Sequence, residues 1–145
     1  RKIDPEVAME KNTWFHLGRN SCEEILYCLR RIADPCEEHV DNNFVPLSKE
    51  QIKEYIPLRD TVLFLLRRTG KILQTDSYGE VDDVRREAEE LKDCLEKARD
   101  AQMQRMQSSK ENITVAYLYL NLLQETRELT SSLRHLLRAS KGFRE

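Results

Sequence analysis

Acidic residues and a histidine crowd one stretch of this chain: Asp34, Glu37, Glu38, His39 and Asp41. If the stretch is helical, the spacings of three, four and seven place Asp34, Glu37 and Asp41 on one face. Carboxylates on one face repel each other, and a bound hard cation relieves that repulsion. Imidazole adds a ligand of intermediate softness. The stretch therefore predicts a metal site, and the alternative is a row of solvated acids at a helix end.

Another carboxylate, Glu125, stands among leucines. It falls at a core-facing step of the helical row Leu118, Leu122, Leu129, Leu133 and Leu136. A carboxylate that is removed from water must be paired, hydrogen-bonded, metal-bound or protonated. We therefore expect Glu125 either to pair with an arginine of a neighbouring helix or to serve as a functional carboxylate.

The motifs of several enzyme classes are absent from the sequence. His16, His39 and His135 each lack a glutamate three residues before them, so the Glu-x-x-His motif of di-iron bundles does not occur. There is no GxGxxG, no phosphate-cradling glycine loop and no nucleophile elbow. The net charge of −2 gives no indication of nucleic-acid binding. We expect a protein that is not an enzyme and does not bind nucleic acid.

The cysteines of the chain show no CxxC spacing, which disfavours a zinc site. Three of them fall on one predicted helix at spacings that disfavour a disulfide. We expect reduced, mostly buried thiols. The residues concerned are Cys22, Cys28, Cys36 and Cys94.

The elements that must position these residues are long helices. Charged residues make up 34% of the 145, while glycine and proline are scarce at four each, which favours a helical bundle. Helix-start patterns at Asp4-Pro5, Ser48–Gln51, Ser77–Glu80 and Ser108–Glu111 divide the chain. The predicted helices span about 4–42, 48–75, 78–107 and 109–141.

Apolar residues recur at helical spacing in each predicted helix and predict the buried rows. The rows are Cys22, Ile25, Leu29, Ile32, Cys36 and Val40; then Ile52, Tyr55, Ile56, Val62, Leu63, Leu66 and Leu73; then Val81, Val84, Ala88, Leu91, Leu95 and Ala98; and finally Val115 with the leucine row around Glu125.

Long helices joined by short turns favour antiparallel neighbours. The predicted fold is all-α, an up-down antiparallel four-helix bundle that forms a single domain over residues 1–145. No apolar run approaches the roughly 20 residues needed to span a bilayer. Because the chain begins at Arg1 rather than methionine, we expect it to be a piece of a longer protein.

The segment Leu29-Arg30-Arg31-Ile32-Ala33-Asp34 resembles the LERIGD signature of PhoU-type helical domains. Arg31, Ile32 and Asp34 match, whereas Ala33 replaces the glycine and Arg30 replaces the acid. The stretch 123–128 resembles a second, degraded copy that keeps the acid as Glu125. The stretches 35–43 and 132–140 are similar to the C-terminal PhoU-like region of bacterial Na⁺/phosphate cotransporter proteins.

The resemblance implies a cytoplasmic regulatory domain that modulates phosphate uptake by a membrane transporter at the inner membrane. It implies the transporter portion of the same chain as partner, and it allows a homodimer. Family members bind iron or zinc through acidic motifs on these helices, which carries over to Asp34, Glu37, Asp41 and Glu125. Two alternatives stay open: a metal-binding domain or metal-dependent enzyme, and a structural or signalling interaction bundle.

Overall fold

The computed structural model describes residues 4–41 and 45–144. The helices are α1 (Pro5–Asp41), α2 (Lys49–Thr75), α3 (Val81–Ser108) and α4 (Ile113–Arg144), with a short 3-10 turn at Tyr78–Glu80 before α3. The described residues contain no strand, so the all-helical prediction is confirmed, and the four helices pack together as a bundle. None of the helices within the described ranges is both long and apolar enough to cross a membrane.

The helix starts confirm two predicted caps and correct two others. The Asp4 Oδ1 atom accepts the backbone N–H of Glu6 at 2.9 Å, where α1 begins. Ser48 and Gln51 form the predicted capping box at the start of α2. Ser77 makes no side-chain cap, and the chain passes through the 3-10 turn before α3 begins. Helix α4 begins later than predicted, because the Asn112 Oδ1 atom accepts the backbone N–H of Val115 at 3.1 Å. At its other end α4 runs past Gly142, the predicted stop.

Helix α4 lies at the centre of the molecule and packs against α1, α2 and α3. Its buried residues occur on several sides rather than along one row, since three helices cover it. Opposite it, the predicted row of α3 is buried at every position, which confirms that prediction. Large leucines and valines from α2, α3 and α4 fill most of the space between these helices.

The buried rows of α1 and α2 differ from the predicted ones. In α1 the buried residues are Ser21, Cys28 and His39, while Leu29 and Val40 of the predicted row are exposed. In α2, Ile52, Ile56 and Leu63 are exposed. The prediction chose the most apolar row of each helix as the core. Part of each predicted row is nevertheless confirmed, since Val62 is buried and Ile25, Ile32, Tyr55 and Leu66 pack partly buried against the core. The buried face of each helix is shifted one step round from the predicted row, so two adjacent faces of each helix are apolar.

Helix α1 makes its extensive backbone contacts with α4 and no comparable contact with α2 or α3. Small side chains allow this close approach: Ser21 and Cys28 of α1, and Ser132 and Ala139 of α4, are all buried. Gly18 lies beside Ala139 in the same seam. We call this contact the α1–α4 seam.

Candidate functional site

The predicted acidic ligands do not come together in the structure. Asp34, Glu37 and Asp41 lie on the exposed surface of α1, whereas Glu125 is buried on α4. Within residues 4–41 and 45–144, no group of three or more His, Cys, Asp or Glu side chains could hold a metal ion. The predicted end of the first helix at residue 42 lies in the stretch 42–44, outside the described residues. Metal binding by these residues stays a prediction.

His39, which the sequence offered as an added ligand, is occupied by a structural contact. It is buried, and its Nε2 atom lies 2.6 Å from the carbonyl oxygen of Val45. One ring nitrogen therefore bonds the segment that leads from α1 to α2. This contact joins the end of α1 to Val45, just before α2.

Glu125 sits in the α1–α4 seam and is only 6% exposed. Its Oε2 atom lies 3.1 Å from Arg31 Nε, so the carboxylate is paired with an arginine of a neighbouring helix, one of the two expected arrangements. Burial raises the pKa of Glu125, while the positive charge of Arg31 acts in the opposite direction. This ion pair is less favourable than the same pair would be in solvent, because burial disfavours the charged form of the Glu125 carboxyl.

Arg31 has further contacts on α1 that hold its guanidinium in place. It stacks over the Tyr27 ring at 4.1 Å, and its Nη2 atom lies 3.4 Å from Glu24 Oε1. The same Nη2 is 3.8 Å from the buried Cys28 Sγ. Burial raises the pKa of the Cys28 thiol, which keeps it protonated and unreactive. These contacts are suited to holding α1 against α4, and the Cys28 thiol among them is not an activated nucleophile.

The cysteine prediction is confirmed in part. All four are free thiols, and Cys28 is buried with Cys36 partly so. Cys22 and Cys94 are exposed, which contradicts the expectation of mostly buried thiols. Cys22 is exposed because the row it belongs to faces outward, as described below.

A polar network that the sequence did not reveal joins α2, α3 and α4. Arg105 is its centre, and its Nη atoms donate to both carboxylate oxygens of Glu54 at 3.2 and 3.3 Å. The Tyr119 hydroxyl donates to Glu54 Oε1 at 2.6 Å. Gln102 Oε1 accepts from Arg105 at 2.6 Å and from Gln51 Nε2 at 3.1 Å. Burial and the bond to Glu54 raise the pKa of Tyr119, so the phenol stays a donor.

One sequence signal could have located this network. Gln102 follows Ala98 by four residues and continues the buried row of α3, so a polar side chain occupies a core step. The argument applied to Glu125 applies equally here, because a buried amide needs partners. Arg105 lies three residues further on and supplies one.

Two apolar rows remain beside the core, exposed except for the partly buried Cys36. The outer row of α1 consists of Cys22, Leu26, Leu29, Ala33, Cys36 and Val40, and the outer row of α2 consists of Ile52, Ile56 and Leu63. Leu26 and Val40 are 67% and 72% exposed, and the α2 members are about 40% exposed. Scattered exposed apolar residues are normal, but aligned rows with 3–4 spacing mark contact surfaces for helices.

Comparison with protein-family models, curated proteins and solved structures gave no match to this chain.

Proposed function

We propose that this chain is a regulatory PhoU-like domain, an up-down antiparallel four-helix bundle that modulates a Na⁺/phosphate cotransporter through helix–helix contacts. Its place is the cytoplasmic face of the inner membrane, and its partner is the transporter portion of the same chain. The domain carries out no chemistry itself. It changes phosphate uptake by binding the transporter in one of its conformations more tightly than in another.

The observation that carries this proposal is the outer row of α1. Helix α1 packs on α4 through one face and leaves a second apolar face exposed along the same helix. The members of that face recur at alternating intervals of four and three, which is the pattern a partner helix requires. A protein whose exposed apolar residues are so ordered is suited to helix–helix contact.

The two stretches that resemble the PhoU signature also meet in space. Arg31 belongs to the first stretch and Glu125 to the second, and they form the ion pair across the α1–α4 seam. The pair therefore joins the two stretches directly, one on α1 and one on α4. The contact therefore supports the resemblance, although Arg30 departs from the signature where an acid stands in the family pattern.

The test is phosphate uptake by the full-length protein, in a bacterial host that lacks its own phosphate transporters. Leu26→Ser combined with Leu29→Ser removes the centre of the outer row of α1 without touching the core. We expect a changed maximal rate of Na⁺-dependent uptake at equal membrane abundance. Met9→Ser is the matched control, since Met9 is an equally exposed apolar residue of α1 that lies outside the row.

Equal uptake by the double variant and the unmodified transporter would contradict the proposal. Metal binding is tested separately by elemental analysis of protein purified without chelator. Iron or zinc that co-purifies and is lost in Asp34→Ala would assign the exposed acids of α1 as ligands. Metal-free protein with full regulatory activity would remove them from the function.

A further inference from the structure

The first half of α1 and the end of α4 enclose a cleft together with the short turn before α3. Its volume is about 570 Å³, within the range of about 300–1,000 Å³ that small-molecule sites occupy. Gly18 and Ala139 of the α1–α4 seam belong to its lining. Neither has a side chain larger than a methyl group, so the space above them stays open.

Aromatic residues from all three segments line this cleft, which we call the aromatic cleft: Trp14, Phe15, Tyr78 and Phe143. The ring centroids of Phe15 and Phe143 are 6.3 Å apart, yet these side chains are 53% and 44% exposed. The Trp14 ring lies against the backbone of α4 at Gly142, where any Cβ atom would overlap it. Rings that remain this accessible offer apolar area that a ligand can cover.

The charged residues that line the aromatic cleft are arginines. They are Arg19 and Arg144, and within residues 4–41 and 45–144 no Asp or Glu lines it. Each arginine has an acidic partner outside the lining. Arg19 Nε lies 3.4 Å from Glu23 Oε1, and Arg144 Nη2 lies 3.1 Å from Asp76 Oδ1. These four side chains are all more than half exposed, so the ion pairs are weak. A guanidinium carries five N–H donors and can bind a second anion besides its partner.

The charges around the aromatic cleft also favour an anion. Residues 129–144 of α4 include arginine, lysine and histidine but no Asp or Glu. On α1, Lys11 adds a positive charge, since its Nζ atom lies 5.8 Å from the centroid of the Phe143 ring. The other acids of the segments that form the cleft are exposed and do not line it. They are Asp4, Glu6 and Glu10 of α1 and Glu80 of the turn.

We propose that the aromatic cleft binds a small amphiphilic anion. Its hydrocarbon body packs against the aromatic rings, and its carboxylate or phosphate head accepts hydrogen bonds from Arg19 and Arg144. The planar guanidinium matches the geometry of both head groups. Because α1, the turn and α4 all line the cleft, a bound anion stabilises the arrangement in which they lie together. The cleft needs no transporter for this binding, so the site goes beyond the helix–helix contact proposed above.

Exposed aromatic residues also occur at contacts between proteins. The composition of the aromatic cleft favours a small molecule instead. Small-molecule sites are clefts with mostly apolar and aromatic walls and a few polar groups that fix the orientation of the ligand. Here the two arginines stand among a lining that is mostly apolar and aromatic.

The probe is dodecanoate, kept below its critical micelle concentration, and the reporter is Trp14, the single tryptophan of the chain. We expect a saturable change in Trp14 emission, because the hydrocarbon chain contacts the indole ring. Dodecyltrimethylammonium has the same chain with a cationic head, and we expect it to bind at least about tenfold more weakly. Dodecyl phosphate tests the second head group. Isothermal titration calorimetry measures each affinity independently of Trp14.

The head-group contact is tested by Arg19→Gln combined with Arg144→Gln. We expect about tenfold weaker binding of dodecanoate and no weaker binding of dodecyltrimethylammonium. Arg59→Gln with Arg86→Gln is the matched control, because both are exposed arginines that are paired with an acid and do not line the cleft. Circular dichroism and urea unfolding verify that each variant is folded.

The apolar contact is tested by Phe15→Ala combined with Phe143→Ala. We expect about tenfold weaker binding of dodecanoate, since the chain loses two rings that it covers. Phe64→Ala is the matched control, at a phenylalanine of α2 that is 51% exposed and does not line the aromatic cleft. Dodecanoate affinity that falls in both double variants and is retained in both controls would support the site.

Equal affinity for dodecanoate and dodecyltrimethylammonium, or dodecanoate binding that both double variants leave unchanged, would overturn the inference. Binding to phosphatidylcholine–phosphatidylglycerol vesicles without binding of monomeric dodecanoate would also overturn it and would assign the arginines to a membrane surface. Dimerisation in sedimentation velocity that Phe15→Ala with Phe143→Ala abolishes, without dodecanoate binding, would assign the rings to a contact with a second copy of the chain.

Discussion

Helix α4 meets its neighbours in two different ways. Toward α2 and α3 it packs large side chains, among them Leu95 of α3 and its own Leu123, and the helices are spaced by that volume. Toward α1 the seam is built from small residues such as Ser21, Cys28 and Ala139, and the backbones approach closely. The contact of α4 with α2 and α3 requires large side chains, and its contact with α1 requires small ones. Opposite kinds of substitution should therefore break them.

The largest effect is expected from Leu95→Ala. Leu95 is 2% exposed, and its removal leaves a cavity between α3 and α4. We expect a loss of about 3 kcal/mol in the free energy of unfolding, the sum of lost transfer energy and the cavity cost. Urea unfolding followed by circular dichroism measures it. Leu26→Ala, at an exposed leucine of α1, is the control and should change stability by less than about 0.5 kcal/mol. Similar losses from both would contradict the packing described.

A smaller loss is expected from Arg105→Met, which keeps the volume of the side chain and removes its charge. Glu54 and Gln102 then lose the donor that satisfies them in a half-buried site. We expect the free energy of unfolding to fall by about 2 kcal/mol, because a polar network is most costly when it is partly satisfied. Arg99→Met, an exposed arginine of α3, is the control. A neutral effect of Arg105→Met would show that the network adds nothing to stability.

The seam should respond to added volume rather than lost volume. Ala139→Leu places a large side chain where α1 and α4 touch, next to Gly18. We expect about 2 kcal/mol of destabilisation, concentrated in the release of α1. Trp14, the single tryptophan, packs against Gly142 of α4, so its fluorescence reports that release. Ala33→Leu, on the exposed outer row of α1, is the control. Unchanged Trp14 emission in Ala139→Leu would contradict a close seam.

The same contrast explains which features the sequence could predict. The row of α3 has one strongly apolar face, so periodicity alone identified every buried apolar member. Helices α1 and α2 each have two adjacent apolar faces, and periodicity favoured the more apolar one. In α1 the seam selects small residues instead, because close approach to α4 requires them. A rule that ranks rows by hydrophobicity cannot find a contact whose requirement is small size.

The two clusters of buried charged residues also differ in how well the sequence predicted them. Glu125 was recognised because it interrupts a leucine row, and its arginine partner was one of the expected outcomes. The Arg105 network went unrecognised because its members are distributed over three helices, and each looks like an ordinary surface residue in sequence. Only Gln102 falls where a predicted core row would continue, four residues after Ala98. Pairings between helices depend on how the helices are oriented, which periodicity does not contain.

The smallest effect, and the one that best separates the two polar clusters, is expected from Glu125→Gln. Glu54 is satisfied by Arg105 and Tyr119, whereas burial raises the pKa of Glu125 above its ordinary value of 4.5 despite Arg31. The folded chain therefore holds the Glu125 proton more tightly than the unfolded chain does. This contribution to stability is complete below the unfolded pKa and is lost as the pH rises through the folded pKa.

Glutamine has no ionisable proton, so Glu125→Gln removes the stability that the protein loses when the buried carboxyl ionises. We expect Glu125→Gln to leave stability at pH 7 unchanged or to raise it by up to about 1 kcal/mol. Arg31 is not stranded by the change, since it keeps its contacts with Glu24 and Tyr27. Urea unfolding of both proteins from pH 4 to pH 8 measures the difference, which should grow in favour of the variant as pH rises. Glu54→Gln is the matched comparison and should be destabilising at pH 7, because it weakens the pairing with Arg105. If Glu125→Gln were the more damaging of the two, the ion pair of the seam would be the stronger cluster, and the contrast between the two sides of α4 would be reversed.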